Sequence, residues 1–288
     1  MSASGTGAPA PATELSASRG GPDWMPRFGC YVHSSYAGAL AEQGYDYVEL
    51  AVAELLPGRP ESEVGPVYER LAALPVRAEV FDRLFPPTLR LVGEGVDLAR
   101  VADHVGVVFE RVRRVGGDLV VWGSGPSRHV PGGYSRERAF EQLVATGKLI
   151  AREAERAGVG VALEPLGRRY CNVIATVEEG LALLEAVGSR ALGLLADTDH
   201  MESEGDPFSR LGLVGNRLRH VHLAEAVRVQ PGPMLRRRAF YSELFRELKR
   251  IGYRGRIALE ADVLESGVPL GAPLAALRAW WRAVDLAY

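Results

Sequence analysis

Cysteine is nearly absent from this chain of 288 residues: only Cys30 and Cys171 occur, and they form no CxxC pair. That excludes a disulfide framework and a thiolate zinc site. An excess of charge of one sign is missing as well. With 34 Lys plus Arg against 36 Asp plus Glu, the formal charge is -2, which gives no basic field to draw the chain onto nucleic acid or an anionic membrane. The expected partner is therefore a small molecule. No apolar run approaches the roughly 20 residues of a membrane-spanning helix. Residues 1–26 are rich in Ala, Ser, Gly and Pro and lack the basic start and apolar stretch of a signal peptide. They read as a disordered tail, and the expected location is cytoplasmic. Finally, an open dinucleotide-binding sheet wants a Gly-rich turn after its first strand, and Tyr31-Val32-His33-Ser34-Ser35 is not one.

From Phe28 onward, short strand-like runs alternate with longer stretches of helical periodicity, the pattern of βα units around a parallel sheet. Strands are expected near 28–32, 46–50, 76–81, 118–122, 160–164, 192–196, 218–223 and 256–260. Helices are expected near 35–44, 62–73, 97–115, 135–157, 176–187, 208–215, 240–251 and 271–286. In 97–115, for example, Leu98, Val101, Val105, Val108 and Val112 recur at helical spacing. Ser135 and Thr176 stand where helices begin, and Gly158, Gly188 and Gly252 where they end. Eight such units in one chain fit an α/β fold of the closed (β/α)8 TIM-barrel type over residues 27–288.

Four of the strands end on Glu164, Asp197, His222 and Glu260. A charge closing a core-like strand is expensive to bury unless something pairs with it. In a βα barrel these ends surround one axis at the catalytic face, and side chains two apart on a strand face the same way. The four therefore converge as a candidate metal cup. Its three carboxylates and one imidazole suit Mn2+ first, with Mg2+ or Co2+ as alternatives. The rival reading of any one such carboxylate is a helix N-cap or a salt-bridge partner; four coincident placements argue against it. His220 falls one layer below His222.

Taken together, Ala-Leu-Glu164-Pro-Leu, Ala-Asp197-Thr-Asp-His-Met, His-Val-His222-Leu-Ala-Glu and Ala-Leu-Glu260-Ala-Asp resemble the sugar isomerase/epimerase family with the xylose-isomerase-like barrel, which includes ketose 3-epimerases and hydroxypyruvate isomerase. The resemblance spans about residues 28–286. It implies that Glu164, Asp197, His222 and Glu260 bind the metal and that His200 and Arg228 hold substrate oxygens. It also implies a homodimer or homotetramer. The chain departs from the epimerases at Gly167 and Tyr170, where they often carry Asn and Glu, and in the run Arg236-Arg237-Arg238, which is a solvated loop or a grip for an anionic substrate group.

A divalent cation chelated by adjacent oxygens of a ketose acidifies the neighbouring C–H and stabilises the enediolate. Glu164 and Glu260 would then serve as base and acid. The reading is a metal-dependent isomerase or epimerase of a small keto-sugar, polyol ketone or hydroxy-keto acid. The same site would also serve a dehydratase, in which the enolate expels a β-hydroxyl. A non-catalytic sugar-binding subunit is disfavoured by the complete ligand set, and an endonuclease IV-like phosphodiesterase by the six histidines and the charge balance. Glu49, closing the second strand, is expected to touch substrate or cap a helix, and His33 likewise. Phe85 and Trp122 are expected to wall the pocket or to belong to the core. His104 is expected at the surface and His129 beside Arg128 at the mouth.

Overall fold

The computed structural model describes residues 24–224, 236–260 and 271–285. Within them lie the strands β1 (Arg27–Tyr31), β2 (Tyr47–Ala51), β3 (Ala78–Asp82), β4 (Leu119–Trp122), β5 (Gly160–Leu163), β6 (Leu192–Asp197), β7 (Leu218–Leu223) and β8 (Arg256–Leu259). They pair in sequence order, all parallel, and β8 returns to β1 to close a barrel. The helices are α1 (Ala37–Glu42), α2 (Gly65–Ala72), α3 (Leu98–Arg114), α4 (Gly125–Arg128), α5 (Arg136–Ala157), α6 (Val177–Val187), α7 (Thr198–Ser203), α8 (Leu211–Val214), α9 (Arg238–Arg250) and α10 (Gly271–Ala283). This is a (β/α)8 barrel. None of the described helices is long and apolar enough to cross a membrane.

Local chemistry explains the helix boundaries. The Asp97 carboxylate accepts the Ala99 and Arg100 amides at 3.0 and 3.2 Å to start α3, and Ser135 accepts Arg138 N–H at 3.1 Å to start α5. Thr176 accepts Glu179 N–H at 3.2 Å to start α6. Gly158 and Gly188 then end α5 and α6 in the left-handed region, at φ 67° and 74°, which costs a residue without Cβ nothing. In α3 the buried stripe is Val101, Val105, Val108, Phe109 and Val112; Leu98, expected in that stripe, lies in the first turn and stays exposed.

Two cores result from the two-residue alternation of the strands. Tyr47, Val80, Leu119, Val121, Ala162, Leu195 and Ala258 fill the barrel interior. The opposite faces pack against the helices in a much larger layer. The folded unit reaches further toward the N-terminus than the expected boundary at residue 27. The Trp281 indole N–H donates to the Trp24 carbonyl at 3.1 Å, and the two rings meet edge to face with centroids 5.7 Å apart. Residues 1–23 of the expected tail lie outside the described residues.

Gly29 of β1 faces the interior, where any Cβ would drive into the Tyr47 ring. Gly29→Ala is expected to destabilise the barrel by about 1–3 kcal/mol, read as a lower urea midpoint at unchanged slope.

Candidate active site

At the C-terminal mouth of the barrel, ligand atoms of Glu164, Asp197, His222 and Glu260 all lie within 4.8 Å of one another, and all four residues are buried. Asp197 and His222 are the last inward-facing residues of β6 and β7 and are register partners. Glu164 and Glu260 sit one residue beyond β5 and β8, yet the barrel ladder still holds them. Glu164 N–H donates to Trp122 O at 3.2 Å and Glu260 N–H to Leu223 O at 3.0 Å.

Asp197 plays both roles weighed from the sequence. Its Oδ1 accepts His200 N–H at 2.9 Å and so caps α7, a helix the periodicity alone did not announce. Its Oδ2 is buried and has no hydrogen-bond partner. The same is true of His222 Nδ1, which lies 3.5 Å from Glu164 Oε1 and 3.3 Å from Glu260 Oε2. A buried carboxylate oxygen and an imidazole nitrogen without partners, ringed by two further carboxylates, form a donor set suited to a hard divalent cation.

Beneath the cup lies an arrangement the sequence reading missed. Glu49 was expected at the substrate or on a helix end; instead its carboxylate is fully buried between two imidazoles. Its Oε1 is 2.9 Å from His222 Nε2 and its Oε2 is 2.8 Å from His220 Nε2. By accepting the hydrogen bond from His222 Nε2–H, Glu49 turns Nδ1 toward the axis. His220 Nδ1 lies 3.1 Å from the Arg256 carbonyl oxygen, which sets the stack against β8. The signal that was available was period two in β2: Tyr47 and Glu49 share the inward face.

Asp82 is the second omission. It closes β3 facing inward and is buried. The apolar pattern ends the expected strand at residue 81, and β3 runs one residue further, to Asp82. Gly123, after β4, stands between it and Glu164: a Cβ there would collide with Glu164 Oε2 and lie 3.6 Å from Asp82 Oδ1.

The electrostatics follow from this crowding. Burial, then the charges of Glu260 and Glu164, push the Asp197 carboxyl well above its usual range; burial, then Glu164 and Glu260, do the same to Asp82. Burial opposes a charge on His222, but Glu49, Glu164 and Glu260 outweigh it and raise the imidazole well above its ordinary value. Glu49 is the converse: burial would raise it, yet His222 and His220 hold it well below the normal carboxylate range.

Other expected residues fall as follows. His200 is buried beside the cup, its Nε2 3.8 Å from Glu164 Oε1, with the Tyr170 ring edge-on at 5.3 Å. His33 is exposed after β1; its ring accepts Ser35 N–H, and Nε2 is 3.7 Å from Glu54. Trp122 and Phe85 do not wall the cup. Trp122 occupies an outward-facing position of β4, fully buried against α5 near Gly147. Phe85 packs between it and His104, at centroid distances of 6.3 and 5.7 Å. His104 is half-buried rather than at the surface, and its Nε2–H donates to Leu84 O at 2.7 Å. Arg128 is fully buried, donating to the carbonyls of Trp122 (3.1 Å) and Glu164, while His129 is exposed. In the arginine run, Arg237 pairs with both Glu202 oxygens at 2.9 and 2.5 Å and covers Phe240, so it is committed to a surface ion pair. Arg228 lies outside the described residues.

Glu49→Gln should weaken Mn2+ binding about 10- to 100-fold by calorimetry, because loss of the partner that orients an imidazole ligand typically costs that much. Mn2+ affinity should also rise with pH through the neutral range. His222 and Asp197 are held above their ordinary values, so a cation must displace their protons; titrations in buffers of different ionisation enthalpy will register that release.

Comparison with known proteins agrees with the geometry. The chain is 29% identical over 232 residues to an L-ribulose 3-epimerase of Methylomonas sp., covering 78% of this chain and 76% of that one. It is 35% identical over 116 residues to a ketose 3-epimerase of Arthrobacter globiformis, a stretch that spans only 39% of each. In structure it resembles D-psicose 3-epimerase from Clostridium cellulolyticum H10 bound to D-tagatose, with a TM-score of 0.71 and 20% identity over 90% of this chain and 96% of that one. An AP endonuclease of family 2 from Brucella melitensis shares the fold at a TM-score of 0.67 and 19% identity, over 87% of this chain and 97% of that one. The sequence profile of the xylose isomerase-like TIM barrel matches residues 37–284, and the chain belongs to that family.

Proposed function

We propose that the chain is a divalent-metal-dependent sugar epimerase acting at the carbon beside the carbonyl of a free ketose, with isomerisation to the neighbouring carbon as the related outcome. The observation that carries this reading is the meeting of Glu164, Asp197, His222 and Glu260 at one point, with Asp197 Oδ2 and His222 Nδ1 buried there without hydrogen-bond partners. The similar proteins named as ketose 3-epimerases support the choice of reaction. The oxygen-rich donor set makes Mn2+ the first choice of ion, with Mg2+ or Co2+ able to replace it. A bound cation supplies Lewis-acid stabilisation of the negative charge that develops on substrate oxygens when the neighbouring carbon loses its proton.

The remaining chemistry belongs to side chains. Glu164 and Glu260 arrive from β5 and β8, with β6 and β7 between them, so they approach a bound sugar from different sides. Each sets one oxygen toward His222 Nδ1. The second oxygen of Glu164 faces the gap at Gly123, where it is placed to take a proton. Glu260 returns one from the other face, inverting the carbon. His200, beside Glu164, holds a substrate hydroxyl. Burial of the whole cup keeps bulk water from competing for these contacts.

The test is incubation of the Mn2+-loaded protein with D-fructose, D-tagatose and L-ribulose in D2O. Deuterium uptake at the carbon beside the carbonyl without loss of water is the expected result; loss of water would make the enzyme a dehydratase instead. Glu164→Gln and Glu260→Gln should each reduce exchange by at least about 100-fold while the circular dichroism spectrum is unchanged. Undiminished exchange in both variants would contradict the two-carboxylate scheme.

A further inference from the structure

The proposed metal ligands occupy only the β5 to β8 half of the mouth. A sugar gripped there through two adjacent oxygens must extend its remaining carbons over the β1 to β4 half, since the other half is taken up by the ligands themselves. Strand alternation sets what that half presents at the same level. Tyr31 closes β1, Ala51 closes β2, Asp82 closes β3, and Gly123 follows β4. Ala51 is the register partner of Asp82 in the β2–β3 ladder. Gly123 contributes no side chain: a Cβ there would collide with Glu164 Oε2 and lie 3.6 Å from Asp82 Oδ1, so the glycine lets the two carboxylates stand side by side. Asp82 is thus flanked by two small residues, and it is the carboxyl group that closes a strand in this half of the barrel.

Its own partners leave most of its capacity unused. Oδ1 accepts the Arg83 N–H at 2.6 Å, and Oδ2 lies 3.6 Å from Arg83 Nε. A carboxylate has about four acceptor positions. Arg83 also takes the left-handed conformation, φ 61°, which a residue with a side chain rarely adopts. That turn brings its amide back onto the carboxylate, so Asp82 is held in place from behind. The Arg83 guanidinium lies outside, 5.4 Å over the Tyr31 ring. A buried acceptor held in one orientation beside small neighbours is how a site reads hydroxyl groups.

We propose that Asp82 is a specificity-determining residue whose carboxylate accepts hydrogen bonds from hydroxyls on the part of the substrate chain beyond the reacting carbons. The proposal rests on the epimerase reading of the site. The ligand chemistry it names is a neutral polyhydroxylated tail, whose hydroxyls can each donate to a carboxyl oxygen.

The experiment is a cycle between side chain and hydroxyl. Affinities of the Mn2+-loaded full chain for D-fructose and for its 4-deoxy, 5-deoxy and 6-deoxy analogues are measured by calorimetry for the native protein, Asp82→Ala and the isosteric Asp82→Asn. Exchange in D2O gives KM and kcat in parallel. Removal of the hydroxyl that Asp82 reads should weaken binding to the native protein about 10- to 100-fold, yet change binding to Asp82→Ala less than about 3-fold, with Mn2+ affinity the same in all three proteins. KM should carry the effect more than kcat. Should Asp82→Ala fail to fold, Asp82→Leu, similar in shape and without an acceptor, carries the same comparison. Equal penalties for every deoxy analogue with and without the carboxylate would overturn the proposal while leaving the epimerase reading intact. A drop in Mn2+ affinity in the variants would also overturn it, by making Asp82 a metal ligand. If the native protein bound none of the ketoses, both readings would fall together.

Discussion

The site depends on a single buried carboxylate that would never touch a substrate. Glu49 stands one layer below the mouth with an imidazole on each oxygen. By engaging Nε2 of His222 it decides which nitrogen of that ring points at the cup, and by engaging His220 it ties the arrangement through Arg256 O to the neighbouring strand. Without that contact Nε2 of the buried ring would have no partner to fix which nitrogen faces the three carboxylates. An interior carboxylate held by two donors is tolerable, whereas an unpaired one is not. The cost of burying Glu49 therefore also enforces the geometry above it.

Above that layer the problem is like charge. Glu164, Asp197, Glu260 and Asp82 gather where water is scarce, and burial first, then their mutual repulsion, raises the carboxyls of Asp197 and Asp82. Several backbone devices hold them there regardless. Glu164 and Glu260 keep ladder hydrogen bonds beyond the formal ends of their strands. The buried Arg128 guanidinium fastens the carbonyls of Trp122 and Glu164 together. Asp197 is fixed by the amide of the helix it caps. A rigid frame that opposes its own side-chain repulsion is prepared for a cation, and it provides that preorganisation before any substrate arrives.

Some features were legible in the residues alone. The strand ends at Glu164, Asp197, His222 and Glu260 stand out because a charge at the close of an apolar run has few harmless explanations, and period two assigns all four to the inward face. Caps at Ser135 and Thr176 and stops at Gly158 and Gly188 are equally local, and the structure has them in place. Trp122 was ambiguous for a physical reason: an aromatic near a strand end looks the same whether it faces the axis or the helices, and only counting from Val121 puts it outside. Asp82 escaped because β3 runs one residue further than its apolar pattern. Glu49 was noticed, but its partners are 171 and 173 residues away, a distance across which no local pattern reports.

The amino-acid sequence by itself determined the class of fold, the alternation that generates it, and which ionisable groups end up on the axial face, since these follow from periodicity and from the cost of burying charge. Closure of the barrel decided the rest. Bringing β8 back to β1 sets β2 near β7 across the axis and so selects Glu49 as the support of His222, while β4, paired to both β3 and β5, sets Asp82 near Glu164 across a glycine. Those pairings are contacts through space, made by a ring whose two ends are joined only when the whole chain has folded.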